Sequence, residues 1–212
     1  MSCPYVANSF CSAFSKELLG DLCACCRIKR YPQGQWLSHA YFKNDFVFLT
    51  EGLMVYTLPG DCSQKATTCG MISGGALIRA DMVLHITPTL EEPYDILCMK
   101  ECAAAFWDVD VVSQLYHQSE SFRETVINTC FQTCTFEVGQ MMKEVGGGSA
   151  YSAVRYVVKF CRDHGISQLT HDQIAMICNR SRPTTTNALH QLIKNEPKLF
   201  IVPDAQPPQP AN

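Results

Sequence analysis

The chain has 212 residues, 47% of them hydrophobic and 17% charged, with a formal net charge of −3, which fits a globular protein of one or two domains with real cores. No apolar run approaches the roughly 20 residues needed to span a bilayer, so no membrane-spanning helix is expected. Met1-Ser2-Cys3-Pro4-Tyr5 lacks the basic and apolar regions of a signal peptide, so a cytoplasmic protein with no membrane partner is expected. The charge is uneven: residues 150–212 carry seven Lys or Arg against four Asp or Glu, a balance of +3, while the remainder has ten against sixteen, a balance of −6. An acidic body with a modestly basic end suits a protein in which one domain alone meets phosphate.

In chain order, residues 14–28 read as a helix with Leu18, Leu19, Leu22, Cys23 and Cys26 on one apolar face. Between Gln35 and Val109 the pattern turns to short β-type runs. These are Tyr41-Phe42, Phe46-Val47-Phe48-Leu49, Met54-Val55-Tyr56, Val83-Leu84-His85-Ile86, Ile96-Leu97-Cys98 and Ala105-Phe106-Trp107. Turn signals at Pro59-Gly60-Asp61, Gly74-Gly75 and Glu92-Pro93 separate them, which predicts a sandwich or roll. After Ser119 one long helix is predicted, with Phe122, Val126, Cys130, Cys134, Met141 and Val145 along one side. A seam of that kind between two domains predicts a dimer interface made by Phe122, Val126, Cys130, Cys134 and Met141. Gly146-Gly147-Gly148 predicts a hinge, and Ser149 can cap the helix that follows, where Val154, Val157, Val158 and Cys161 face a small C-terminal core. The expected organisation is 1–118, helix and roll; 119–145, long helix; 146–149, hinge; 150–202, a second domain; and 203–212, a Pro-rich disordered tail.

Residues 169–192 carry the most specific pattern, two short helices joined by a tight turn. Thr170 and Gln173 form a capping box for the first helix, whose Ile174, Ala175 and Ile177 face inward. Asn179 occupies the turn, where positive φ is needed. Ser181 caps the second helix, with Arg182 and Pro183 in its first turn and Ala188, Leu189 and Leu192 as its buried stripe. Its other face presents Arg182, Thr184, Thr186, Asn187, His190 and Gln191, hydrogen-bonding side chains without a carboxylate among them. Such a helix-turn-helix points to the major groove of double-stranded DNA. Arg182 and Asn187 are candidates for base readout; Arg180 and Thr170 stand where phosphates would be met, and Ser181 is a further DNA-binding candidate.

This order of parts resembles the CRP/FNR family of bacterial transcription regulators. The specific likeness lies in Leu169-Thr170, Ser181-Arg182-x-Thr184 and Leu189-x-x-Leu192, with weaker likeness at Gly52-Leu53-Met54-Val55-Tyr56 and Gly74-Gly75. The resemblance implies an α+β fold: an N-terminal antiparallel β-roll of the cyclic-nucleotide-binding type, a long dimerisation helix and a C-terminal winged helix-turn-helix. It implies a homodimeric transcription regulator, not an enzyme, that binds a near-palindromic DNA site. RNA polymerase and an unidentified small-molecule effector are the further candidate partners.

Cyclic-nucleotide-binding members have a Gly-Glu pair for the ribose and an Arg-Ser pair for the cyclic phosphate. Here Arg79 stands about where the Glu would be, and Leu90-Glu91-Glu92-Pro93-Tyr94 puts acids where the cation is required. An anionic phosphate is disfavoured beside two carboxylates, so cyclic AMP is not expected as the effector. Arg79 and Tyr94 are the candidate effector-binding residues. Thirteen cysteines invite a cluster, haem or thiol redox sensor as an alternative, but only Cys3 and Cys11 fall in the N-terminal leader, and no cofactor or metal site is expected. Cys130, Cys134, Cys161 and Cys178 read as small buried hydrophobes on helices, with Cys130 and Cys134 also near a two-fold axis. His85, in an apolar run, has no neighbouring Cys to complete a haem site. A metal-dependent β-roll enzyme would need paired His, whereas the roll has His39 and His85 far apart.

Overall fold

The computed structural model describes residues 9–12, 14–42, 45–60, 66–79, 94–133 and 138–200. It divides into two compact units, Met1–Gln140 and Met141–Asn212. Among the described residues no helix is long and apolar enough to cross a membrane. The expected strand 83–86 with His85, residues 90–93, Cys134 and the tail 203–212 lie outside the described residues.

The first unit opens with α1 (Ser9–Ser12) and α2 (Lys16–Ala24). Ser15 caps α2 by accepting from the Leu18 N–H at 3.3 Å. The helix ends at Ala24, short of the expected residue 28, because Arg27–Tyr31 pairs with a neighbouring strand as β1. Three of the five β1 residues are Lys or Arg, so neither an apolar run nor an alternation marks it in sequence. Then come β2 (Trp36–Ser38), a 3-10 turn at His39–Phe42, β3 (Asp45–Glu51), β4 (Leu53–Leu58), β5 (Thr67–Ser73), β6 (Leu77–Arg79), β7 (Asp95–Cys98) and β8 (Cys102–Asp108). The expected strand at Tyr41-Phe42 is that 3-10 turn. The strands form two antiparallel four-stranded sheets, ordered β1-β8-β3-β6 and β2-β7-β4-β5.

The run Asp45–Glu51 is apolar on both sides because β3 is covered on both sides. Val47 and Leu49 point into the roll with Phe42, Met54, Ile72, Ile96 and Phe106, while Phe46 and Phe48 pack outward against Phe10, Phe14, Trp107 and Phe122. Chain crossings between the sheets occur at Gly52, between β3 and β4, and at residues 99–101, between β7 and β8. Gly52 has φ +99°, and a Cβ there would strike the Glu101 carbonyl and lie 2.6 Å from Cys102 Sγ, so the two crossings touch through a missing side chain. The Trp107 indole N–H donates to the Leu22 carbonyl at 2.8 Å and ties α2 to the roll.

Asp108 and Ser119 cap α3 (Val109–Gln118) and α4 (Glu120–Phe131). Within the span of the predicted long helix the described residues give α4, a π-helical pair at 132–133, the short α5 (Gly139–Met141) and a π-helical turn Met142–Gly146, while 134–137 lie outside the described residues. Of the five residues expected in the dimer seam, Phe122, Val126 and Met141 are turned inward, Cys130 is half-buried and Cys134 lies outside the described residues. Phe122 and Val126 are completely buried within their own unit, against Phe10, Phe14 and Phe46, and Cys130 packs against the same cluster. Met141 is buried as well. The apolar residues that α4 leaves exposed are Ile127 and Phe131, at 45% and 60%.

The second unit contains the turn Met142–Gly146, α6 (Ala150–Asp163), α7 (His171–Ile177), α8 (Arg182–Asn195) and a 3-10 turn Pro197–Phe200. Ser149 caps α6 by accepting from the Ser152 N–H at 3.1 Å. Val154, Val157 and Cys161 of α6 are buried, as are Ile174, Ile177 and Cys178 from α7 and its cap, and Ala188, Leu189 and Leu192 of α8. Burial pushes the Cys178 thiol up to about 12, so it is neutral and unreactive at physiological pH. Among the described residues this unit has no strand; the strands of a wing are not seen.

Candidate nucleic-acid interface

The surface is built from α7 and α8. The Thr170 hydroxyl accepts from the Gln173 N–H at 3.2 Å, and the Gln173 side-chain oxygen accepts from the Thr170 N–H at 2.9 Å. That reciprocal pair satisfies two donors with no partner inside the helix. Asn179 turns the chain with φ 51°, a conformation that Asn tolerates better than most side chains. Ser181 Oγ then caps α8 by accepting from the Thr184 N–H at 3.4 Å, and Pro183 sits in the first turn, where a missing N–H removes no helical bond.

With Ala188, Leu189, Leu192 and also Thr185 turned inward, α8 presents Arg182, Thr184, Asn187, His190 and Gln191 to solvent. Ser181 and Thr170 are exposed beside them. Thr186 is half-buried, with its hydroxyl 3.0 Å from His171 Nδ1. Thus six of the nine residues assigned to DNA from sequence lie on α8, Ser181 is its cap and Thr170 is the cap of α7.

Arg180 is the ninth, and its guanidinium already has partners within the unit. Its guanidinium donates to the Val145 carbonyl at 3.4 Å and the Gly148 carbonyl at 3.3 Å, and to its neighbour Asn179. The Val145 carbonyl lies in the last turn of Met142–Gly146, where carbonyls lack partners inside the helix, and Arg180 satisfies it together with the Gly148 carbonyl beyond the cap. Sequence reasoning also missed two contacts between α7 and α8: the His171–Thr186 pair and an ion pair between Arg182 Nε and Asp172 Oδ1 at 3.4 Å. Helical periodicity says which residues share one helix face, but not which residue of another helix lies opposite, so neither pair has a signal within its own segment.

At the other end of α8, Arg155 of α6 holds both Glu196 carboxylate oxygens at 2.8 and 3.0 Å, with the Tyr151 hydroxyl donating at 2.9 Å. These bonds hold the Glu196 carboxyl below the usual range. They fix the C-terminal end of α8 against α6 while its first turn meets α7.

The candidate effector residues belong to the roll. Tyr94 is half-buried, its ring edge-on to Tyr56 with centroids 5.1 Å apart. Arg79 closes β6 with its backbone opposite Val47. Cys11, Cys23 and Cys26 line one small apolar recess with Phe10, Phe14 and Trp107. Among the described residues no three His, Cys, Asp or Glu side chains stand together to hold a metal ion.

Two four-stranded sheets closed into a roll, followed by a unit of packed helices, define the architectural class. The fold is that of CRP/FNR regulators and cyclic-nucleotide-binding-domain proteins. One match is a cyclic nucleotide-binding domain containing protein from Listeria monocytogenes EGD-e, with TM-score 0.65, 11% identity, and 85% of this chain and 90% of that one covered. Another is a putative transcriptional regulator of the CRP/FNR family from Eubacterium rectale, with TM-score 0.59, 10% identity, and 87% and 86% covered. A third is the cyclic di-GMP responsive global regulator CLP of Xanthomonas campestris, with TM-score 0.58, 10% identity, and 85% and 92% covered. No family model and no curated protein matches the sequence.

Proposed function

We propose that the protein is a homodimeric, sequence-specific DNA-binding transcription regulator of the CRP/FNR kind, acting in the cytoplasm, with no catalytic activity of its own. The observation that carries this reading is the outward face of α8. Arg182, Thr184, Asn187, His190 and Gln191 stand exposed on one helix with no carboxylate among them, in a unit of net positive sequence charge. Arg182 is the candidate for guanine O6 and N7, Asn187 for adenine, while Thr170 and Ser181 meet phosphates. The dimer surface is assigned to Ile127 and Phe131, four residues apart on α4, in place of the buried seam. Control of DNA binding is assigned to an effector or redox signal received by the roll, and the acids at residues 91 and 92 argue against cyclic AMP as that effector. RNA polymerase is the expected partner on the promoter.

Selection of bound sequences from random duplex DNA tests the reading. The wild type should enrich a near-palindrome, and Arg182→Ala should lose preference at one position per half-site, at about 1–3 kcal/mol. Enrichment of nothing, or of an unchanged motif by Arg182→Ala, refutes it.

A further inference from the structure

We infer that Asp172 is a specificity-determining residue, whose carboxylate holds the Arg182 guanidinium ready for base readout and repels DNA that offers it no matching base. The inference rests on the DNA-reading role proposed for α8. Asp172 lies in the first turn of α7 and Arg182 in the first turn of α8. A carboxylate is favoured at a helix N-terminus and a cation is disfavoured there, so the pairing relieves an unfavourable placement of Arg182. Their contact, Nε to Oδ1 at 3.4 Å, is made by side chains that are 67% and 66% exposed.

Exposed ion pairs contribute little to folding, so stability does not account for an acid on the edge of a face that must approach phosphates. Geometry does account for it. His171, the neighbour of Asp172, meets Thr186, one turn beyond Arg182 on α8. Two consecutive residues of α7 therefore set two side chains stacked along one side of α8. The pair engages Nε of Arg182, and a bidentate contact to guanine needs two N–H groups of the fork, which the Nη atoms supply. Against phosphate alone, the Asp172 charge acts as a penalty with no compensating base contact.

The test uses the full chain as wild type, Asp172→Asn, Asp172→Glu, Arg182→Ala and the double variant Asp172→Asn with Arg182→Ala. Affinities are measured at one salt concentration for the selected duplex, for the same duplex with the base pair under Arg182 exchanged, and for a random duplex. Asp172→Asn should bind the random duplex about threefold more tightly, through one less repulsive charge. Its preference for the selected base pair should fall about tenfold, within the range for one bidentate contact. Asp172→Glu, keeping the charge, should retain part of that preference. In the Arg182→Ala background, Asp172→Asn should leave base preference unchanged, since the residue it positions is gone. The inference is overturned if Asp172→Asn keeps full preference, if it lowers preference equally without Arg182, or if it weakens all three duplexes uniformly through misfolding. Failure of the underlying reading looks different: the wild type then selects no site at all, and this inference falls with it.

Discussion

Helices α4 and α8 are both two-faced, but they turn opposite kinds of surface to the outside. The apolar stripe of α4, centred on Phe122 and Val126, is covered by Phe10, Phe14 and Phe46 of the same unit, and Ile127 and Phe131 remain exposed. The apolar stripe of α8 is covered within a helical core, and its outer side is mostly Arg, Thr, Asn, His and Gln, with Ile193 exposed near its C-terminal end. One helix thus leaves a surface that water solvates poorly; the other leaves a row of donors and acceptors. The lesson is that a periodic apolar stripe identifies a face that will be buried, while the residues left over identify the kind of partner that comes next.

The largest effect that would break this comparison is on the folding of the first unit. Phe122→Ala should cost about 3–5 kcal/mol by emptying the cluster it shares with Phe10, Phe14 and Phe46, and should lower the roll's melting temperature before any change in assembly. Thermal unfolding followed by near-ultraviolet circular dichroism checks it. Normal melting with loss of the dimer would return Phe122 to the interface. Next in size is the double change Ile127→Glu with Phe131→Glu, which should leave the roll folded, since both sites are exposed, and give monomers by light scattering. DNA affinity should fall with it, because single half-sites are weakly held. An unchanged dimer mass would show that α4 presents its exposed pair to something else.

A smaller effect separates Arg180 from Arg182, the arginine proposed to read bases. Arg180→Ala removes bonds to the Val145 and Gly148 carbonyls and should destabilise the second unit by about 1 kcal/mol. The salt dependence of DNA binding should keep its slope, whereas a phosphate contact at Arg180 would flatten it by about one counterion. The smallest expected effect is at Glu196, where Arg155 lowers the folded-state pKa. A lowered pKa gives stability that is present above the ordinary carboxylate range and lost as pH falls through the folded value. The melting difference between wild type and Glu196→Gln should therefore be largest near neutrality and vanish in acid; a gap that persists in acid would mean the side chain acts by packing.

The local code for the second unit was legible because it lies in adjacent residues. Thr170 with Gln173, Asn179 at the turn and Ser181 before Pro183 each carry their instruction within four positions, and each adopts the expected geometry. The roll was legible only where strands are apolar, as in β3, β4, β7 and β8. β1 is mostly basic and exists through its pairing with β8, a relation between residues about 75 positions apart that short-range pattern does not encode. The same limit explains why Phe122 and Val126 of α4 pack against Phe10, Phe14 and Phe46 without a signal in their own segment, and why the Asp172–Arg182 pair was missed. In both cases the sequence names one side of a contact, and the tertiary fold chooses the other.

Hydroxyl-radical footprinting of the wild-type protein on its selected duplex is the most direct measurement of the claim that two copies present α8 to successive major grooves. Two protected patches are expected on one side of the duplex, with centres about 10 to 10.5 base pairs apart, and both should weaken together in the Ile127→Glu, Phe131→Glu variant. A single patch, patches without that spacing, or no protection at concentrations that saturate the duplex would contradict it.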